Sequence, residues 1–209
     1  GLEALASLQP GMRFPIGQHL LDDELRAVRI EAGRVLADTP AASLDAAQRA
    51  RLQQAIDEYI ASQRFNADQP QAHINLGNLY LRMGDAGKAE LAYRQALVID
   101  ATYVPAYVNL ADLFRVTGHE QAVLGTLEQG LVLAPANADL HYARGLALVR
   151  SKQLPGAVEA LARAAEHRPP DRAAGSGGRA SDPRWRHAYP RRDRDRVSAR
   201  GGVAAVSPG

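Results

Sequence analysis

Apolar and polar positions follow the three- and four-residue spacing that predicts amphipathic α-helices, and no segment is typical of a β-strand. After residue 69 two such apolar stripes follow one another, and their members are Leu76, Gly77 and Tyr80, then Ala89, Tyr93 and Ala96. Small side chains in both stripes allow the two helices to pack closely. Gly84 stands between them, where a turn between helices favours a residue that tolerates a positive φ. The pattern therefore predicts an antiparallel helix pair.

This helix pair recurs with a period of 34 residues. One shift by that length places Asn75-Leu76 on Asn109-Leu110 and Gly84 on Gly118, and the next places Leu127 on Leu161 and Pro135 on Pro169. Thirty-four residues is the length of a tetratricopeptide repeat, and residues 70–103, 104–137 and 138–171 resemble that family. The resemblance implies an all-α, right-handed solenoid of helix hairpins that holds a partner and does not catalyse a reaction.

Four positions depart from the pattern of that family. They are Ala101 where Pro is usual, Val123 where a small Ala is normal, Arg144 in place of Leu, and Lys152 in place of the turn Gly. The third repeat holds two of these departures, so we expect it to be the weakest unit. The period itself holds without an insertion.

The residues before the first repeat also predict helices. Residues 41–69 contain one amphipathic helix, for which Ser43 is a candidate N-cap, and its apolar stripe consists of Leu52, Ala55, Ile56, Tyr59 and Ile60. Because Ala55, Tyr59 and Ser62 keep the 34-residue register of a second helix, we interpret this segment as a degenerate half-repeat that covers the first complete one.

Residues 1–40 form a different helical segment by pattern. Within residues 22–38 one face holds Leu25, Val28, Ala32, Val35 and Leu36, and Asp22 and Asp23 stand at the expected positive end of the helix. The combination of an Asp, a Val-Arg pair and spaced Ala and Leu resembles the second helix of a HEAT repeat. The sequence thus predicts a HEAT-like segment before the tetratricopeptide array.

The last part of the chain, residues 172–209, loses all periodicity and is rich in Arg, Pro and Gly. Such a composition predicts disorder, since little apolar surface can be buried. Residues 171–209 hold nine Arg and four Asp, which leaves residues 1–170 mildly acidic within a chain of net charge +2. A basic arm that binds nucleic acid, with Trp185 stacking on a base, is the less favoured alternative. A third hypothesis is a frameshifted or truncated end. Arg outnumbers Lys by 23 to 2, as expected of a GC-rich gene, and such a gene read out of frame yields Arg, Pro and Gly.

Composition excludes several kinds of chemistry. The absence of cysteine excludes disulfides, thiolate metal sites and covalent c-type haem attachment within this sequence. We find no apolar run that could span a bilayer and no secretory signal segment. The chain begins with Gly, so we expect a fragment or a processed product.

The family resemblance implies a concave groove, lined by the first helix of each repeat, in which extended peptides bind. The positions that face such a groove hold Asn75, Asn78, Arg82, Asn109, Asp112, Arg115, Val116, Tyr142, Val149 and Arg150. An amide side chain both donates and accepts, which suits Asn78 and Asn109 to holding a peptide backbone. The alternative is that Asn75 and Asn109 only stabilise the hairpins, and the sequence leaves both interpretations open.

One activity of the family is disfavoured. Its chaperone-binding members grip a C-terminal carboxylate with a set of Lys, Asn, Asn, Lys and Arg. Asn78 and Asn109 match the two Asn places, but the cationic places hold Ile74, Asp139 and Ala143. A carboxylate would therefore lack a charge-assisted partner.

Catalytic and metal sites have no support in the sequence. The six histidines include no pair at helical spacing, so we predict no metal site. His73 and His141 occupy a repeat position where the family often has an aromatic residue, and we expect them to pack. No nucleophile set or phosphate-binding loop is present, so we predict a chain that is not an enzyme and needs no cofactor.

A second resemblance concerns the order of segments. The HEAT-like helix followed by the strings at residues 66–80 and 104–113 is similar to the C-terminal repeat region of bacterial multihaem cytochrome c proteins. This implies an accessory repeat domain whose chemistry lies outside the chain, and a periplasmic location; without it we expect a cytoplasmic one. The preferred function remains a protein–protein interaction scaffold, and the uncovered apolar face of residues 157–164 also predicts self-association.

Overall fold

The computed structural model describes residues 2–167, which form ten α-helices and two short 3₁₀ turns and contain no β-strand. The helices are α1 Leu2–Ser7, α2 Pro10–Gly17, α3 Arg26–Leu36, α4 Ala46–Arg64, α5 Pro70–Arg82, α6 Ala86–Ile99, α7 Val104–Val116, α8 Glu120–Leu133, α9 Ala138–Arg150 and α10 Leu154–Glu166. The 3₁₀ turns are Gln18–Asp22 and Ala41–Ser43. The all-α solenoid that the family resemblance implies is confirmed. The predicted disordered segment, residues 172–209, lies outside the described residues.

Helix boundaries repeat with the 34-residue period of the sequence. The first helices begin at Pro70, Val104 and Ala138, and the second helices begin 16 residues later, at Ala86, Glu120 and Leu154. Each first helix packs against the second helix that follows it, and α6 and α8 also pack against the next first helix. The result is a stack of three hairpins, α5–α6, α7–α8 and α9–α10.

The three turns within these hairpins share one backbone conformation. Gly84 and Gly118 have φ of +81° and +80°, and Lys152, at the equivalent place, has φ +60°. The next residue closes each turn with a backbone hydrogen bond back to the first helix, from Asp85 to Tyr80 at 2.8 Å and from Gln153 to Leu148 at 2.9 Å. The third hairpin thus forms the same turn without the glycine that the conformation favours.

Close approach of the paired helices depends on small residues. An added Cβ at Gly77 would lie 2.3 Å from the Tyr93 ring, and one at Gly145 would lie 2.7 Å from Leu161. Gly77 and Tyr93 occupy the same positions in the first repeat as Gly145 and Leu161 do in the third. Absence of a side chain on the first helix therefore makes room for a large one on the second.

Two of the helices before residue 70, α3 and α4, form a further hairpin. Helix α3 packs against α4, and a Cβ at Gly33 would lie 2.6 Å from the backbone of Ala55. Both helices contribute to one hydrophobic core that also takes in Phe14 and Leu79. The two segments predicted separately, residues 1–40 and 41–69, thus pack together and onto α5. Their division into a HEAT-like unit and a half-repeat stays a prediction.

Two details predicted for these helices are wrong. Helix α3 begins at Arg26, because Asp23 Oδ1 instead accepts a 2.8 Å hydrogen bond from Leu25 N in the preceding turn. Leu25 is consequently 67% exposed and does not belong to the buried face. The N-cap of α4 is Asp45, which forms a reciprocal capping box with Gln48, whereas Ser43 lies in a 3₁₀ turn.

Candidate functional site

All ten predicted groove residues lie on the first helices of the three hairpins. They are Asn75, Asn78 and Arg82 on α5, Asn109, Asp112, Arg115 and Val116 on α7, and Tyr142, Val149 and Arg150 on α9. Helix α7 is in contact with both α5 and α9. The fold therefore sets the three first helices side by side, but it uses their polar side chains in different ways.

Asn75 is part of a hydrogen-bonded chain that joins neighbouring helices. Its Nδ2 donates to Gln63 Oε1 of α4 and its Oδ1 accepts from Gln71 Nε2, both at 2.8 Å. Gln71 Oε1 in turn accepts a 2.6 Å hydrogen bond from the Tyr103 hydroxyl. Both ends of the Asn75 amide have internal partners, so this residue connects α4 to the first hairpin.

The other two amides also have partners inside the protein. Asn78 Oδ1 accepts a 2.8 Å hydrogen bond from the Tyr93 hydroxyl, and Asn109 Nδ2 donates at 2.8 Å to the carbonyl of Pro105 in its own helix. These bonds favour the stabilising interpretation of Asn109 that the sequence left open. Binding of a peptide by either amide stays a prediction.

Arg82 lies beside acidic and basic groups of the N-terminal helices. Its Nη1 is 3.5 Å from Asp38 Oδ2, which also pairs with Arg13 Nη1 at 2.5 Å. Burial, followed by the like charges of Arg34 and Arg13, lowers the pKa of Arg82 against the attraction of Asp38. The sequence pattern does not indicate this cluster, because nine residues, 37–45, separate α3 from α4 and interrupt the register that the chain keeps after residue 69.

Among the predicted groove residues, the exposed side chains lie on α7 and α9. Asp112 and Arg115 form a 2.6 Å ion pair one turn apart, and neither is buried. Apolar side chains accompany them, since Val116, Tyr142 and Val149 are 51%, 43% and 45% exposed. We call this set, with Arg150, the α7–α9 surface. It combines both signs of charge with apolar area, as protein interfaces do.

Two histidines that we expected to pack lie within hydrogen-bonding distance of backbone carbonyl oxygens. His141 is buried, and its Nε2 is 2.7 Å from the carbonyl oxygen of Pro135. The equivalent His73 Nε2 is 2.9 Å from the carbonyl of Ala67, and the Tyr107 hydroxyl makes the same contact in the second hairpin. Each of these side chains holds the start of a first helix against the preceding turn. Within residues 2–167 no three potential metal ligands cluster together.

The last described hairpin exposes an apolar position that the previous one partly buries. Leu124 of α8 is packed against the core formed by Leu148, Ala157 and Ala160. Its equivalent in the next hairpin, Val158, is 69% exposed. Self-association through this end stays a prediction. None of the described helices has the length and apolar character needed to cross a membrane.

A family model supports the first predicted repeat. The family described as tetratricopeptide repeat matches residues 70–103. A crystal structure of MamA covers 76% of this chain and 88% of its own, with 14% identity and a TM-score of 0.47. TTC0263, titled a thermophilic TPR protein in Thermus thermophilus, covers 81% and 91%, with 16% identity and a TM-score of 0.48. No protein of curated function matches the sequence.

Proposed function

This chain is a helical repeat protein that carries a tetratricopeptide repeat at residues 70–103, and on that premise we propose that it binds a partner protein on the α7–α9 surface. Repeat proteins of this kind generally serve as scaffolds for protein interactions and are generally not catalysts. The expectation that the chain is not an enzyme stays a prediction. The finer assignment is a partner segment that lies across the first helices of the second and third hairpins.

The observation that supports this surface is the contrast between the first helices α5 and α9. Toward the N-terminus the amides of Asn75 and Asn78 are engaged by Gln63 and Tyr93. On α9, Tyr142 and Arg150 are exposed and form no ion pair or hydrogen bond with other described residues. Aromatic and arginine side chains contribute most to binding energy at protein interfaces. We therefore place the main contacts on α9, with the Asp112–Arg115 pair beside them.

The test is capture of a partner from a lysate of the source organism by the 209-residue chain. The variant Tyr142→Ala/Arg150→Ala removes two exposed side chains of the α7–α9 surface. Its matched control, Val132→Ala/Arg163→Ala, removes two exposed side chains from second helices. We expect the control to retain a partner that the surface variant loses, with about a tenfold or greater loss of affinity.

Asn78→Ala is unsuitable as a binding test by itself, because it also leaves the Tyr93 hydroxyl without its acceptor. Equal capture by both double variants would refute the α7–α9 surface, and so would equal loss. The alternatives of an accessory domain of a multihaem cytochrome or other enzyme, and of a nucleic-acid adaptor acting through residues 171–209, stay predictions.

A further inference from the structure

A pocket of about 580 Å³ opens where the connection between α3 and α4 meets the end of α5. Its volume is in the range of small-molecule sites. The apolar part of the lining includes Leu44, Leu52 and Ile56, which are buried, and Met83, which is 40% exposed. None of these positions belongs to the α7–α9 surface, so the pocket is a separate feature of the molecule.

The charged part of the lining has an excess of positive charge. It consists of Arg49, Arg82 and Asp38, of which Asp38 already pairs with Arg13 at 2.5 Å. Arg82 has a single ion pair, 3.5 Å long, to the same carboxylate oxygen. No described carboxylate pairs with Arg49, whose Nη1 donates at 3.4 Å to the carbonyl of Ala41. Two guanidinium groups therefore line the pocket, and little negative charge from carboxylates offsets their positive charge.

Partial burial of Arg82, whose side chain is 32% exposed, strengthens the effect of this excess positive charge. Burial is the main cause that lowers its pKa, and the like charges of Arg34 and Arg13 act in the same direction. A guanidinium group in such surroundings gains more from an anion than one in bulk water, because the attraction is less screened. Its planar fork of donors also matches the two oxygens of a carboxylate.

We propose that this pocket binds a small monocarboxylate with an apolar stem. The carboxylate lies between Arg82 and Arg49, where one negative charge balances the excess of the lining. The stem covers Leu44, Leu52 and Ile56, which supply the apolar wall. The C-terminus of a peptide also presents a carboxylate beside an apolar side chain. The structure favours the free acid, because the site is a pocket and not an extended groove.

The experiment is calorimetric titration of octanoate into the 209-residue chain at low salt. Octan-1-ol is the uncharged probe, and a tripeptide ending in leucine is the peptide probe. Gln53 lines the pocket and its neighbour Gln54 does not, while both are exposed on α4. Gln53→Glu and Gln54→Glu therefore add the same charge inside and outside the site, with little risk to folding.

We expect octanoate to bind wild type and Gln54→Glu equally, and to bind Gln53→Glu and Arg82→Gln about tenfold more weakly. Octan-1-ol should also bind at least roughly tenfold more weakly than octanoate. Equal affinity of the two glutamate variants, equal binding of the alcohol, or no octanoate binding would overturn the proposal. Tighter binding of the tripeptide than of octanoate would overturn the choice of a free acid. None of these outcomes bears on the α7–α9 surface.

Discussion

The Tyr93 hydroxyl donates a 2.8 Å hydrogen bond to Asn78 Oδ1 and thereby joins the two helices of the first hairpin. Tyr93 is 1% exposed, so its hydroxyl has no access to bulk water as a replacement. The same tyrosine ring fills the space that Gly77 leaves on α5. Tyr93 on the second helix thus contacts two residues of the first helix, and the contribution of each contact to the free energy of unfolding can be measured.

The first prediction concerns the hydrogen bond. Tyr93→Phe leaves Asn78 Oδ1 without its donor, so we expect the free energy of unfolding to fall by about 1 kcal/mol. Tyr142→Phe is the control, because its hydroxyl is on an exposed side chain, and it should leave stability unchanged. Urea denaturation followed by circular dichroism measures both. A Tyr93→Phe protein as stable as wild type would show that the bond contributes nothing.

The second prediction concerns the close approach of α5 and α6. Gly77→Ala places a methyl group 2.3 Å from the Tyr93 ring, and the buried ring has no space to move away. We expect a loss of about 2 kcal/mol in the free energy of unfolding. Gly125→Ala, on α8, meets no atom within 4 Å and should stabilise the protein by up to about 1 kcal/mol. The two alanine variants should change the free energy of unfolding in opposite directions. A change in the same direction would contradict the packing argument.

The third prediction concerns the turn of the third hairpin. Lys152 has φ +60°, whereas Gly84 and Gly118 occupy the equivalent places. A side chain in this conformation is strained, so Lys152→Gly should raise the free energy of unfolding by about 0.5 to 1 kcal/mol. The converse variant, Gly84→Ala, should lower it by about 1 kcal/mol. Thermal denaturation of the three proteins provides the comparison, and a Lys152→Gly variant with a lower midpoint than wild type would refute the strain.

The fourth prediction concerns the partly buried ion pairs of Asp38. Asp38 lies between Arg13 and Arg82, and its side chain is 20% exposed. Asp38→Asn leaves two partly buried guanidinium groups without an anion, and we expect it to cost about 2 kcal/mol of stability. Asp68→Asn changes an exposed carboxylate that has no ion pair with described residues, and should cost nearly nothing. Comparable urea midpoints for the two variants would rule out the stabilising role of Asp38.

The fifth prediction concerns alkaline pH. Burial raises the pKa of Tyr59 to about 12, and burial also raises the pKa of Tyr93. A tyrosine in the unfolded chain loses its proton near pH 10, whereas the buried tyrosine keeps it. Above that pH, deprotonation therefore stabilises the unfolded state relative to the folded one. Stability should be constant below about pH 9 and then fall by up to about 1.4 kcal/mol per pH unit for each buried tyrosine. Urea denaturation at several pH values tests this, and Tyr59→Phe should show a smaller alkaline loss than wild type.

Local residue types and their period determined the hairpins. Gly84, the stripe of Leu76 and Tyr80, and the return of both after 34 residues fix where helices begin and end, because propensity and turn chemistry act over a few residues. Helix starts at Pro70, Val104 and Ala138 accordingly follow the sequence period. The same local logic failed at two helix starts. Asp23 binds Leu25 N in the turn before α3, and Asp45 caps α4 in place of Ser43.

Tertiary structure alone decided how the polar side chains are used. Asn75 is predicted equally well as a binding residue or a stabilising one, and only its distance to Gln63, twelve positions away, shows that its amide is engaged. The pairing of Arg82 with Asp38 spans 44 positions and crosses the interrupted register between α3 and α4. Periodicity specifies which face of a helix is buried, but partners across a hairpin are selected by the packing distance between helices, which the one-dimensional pattern does not contain.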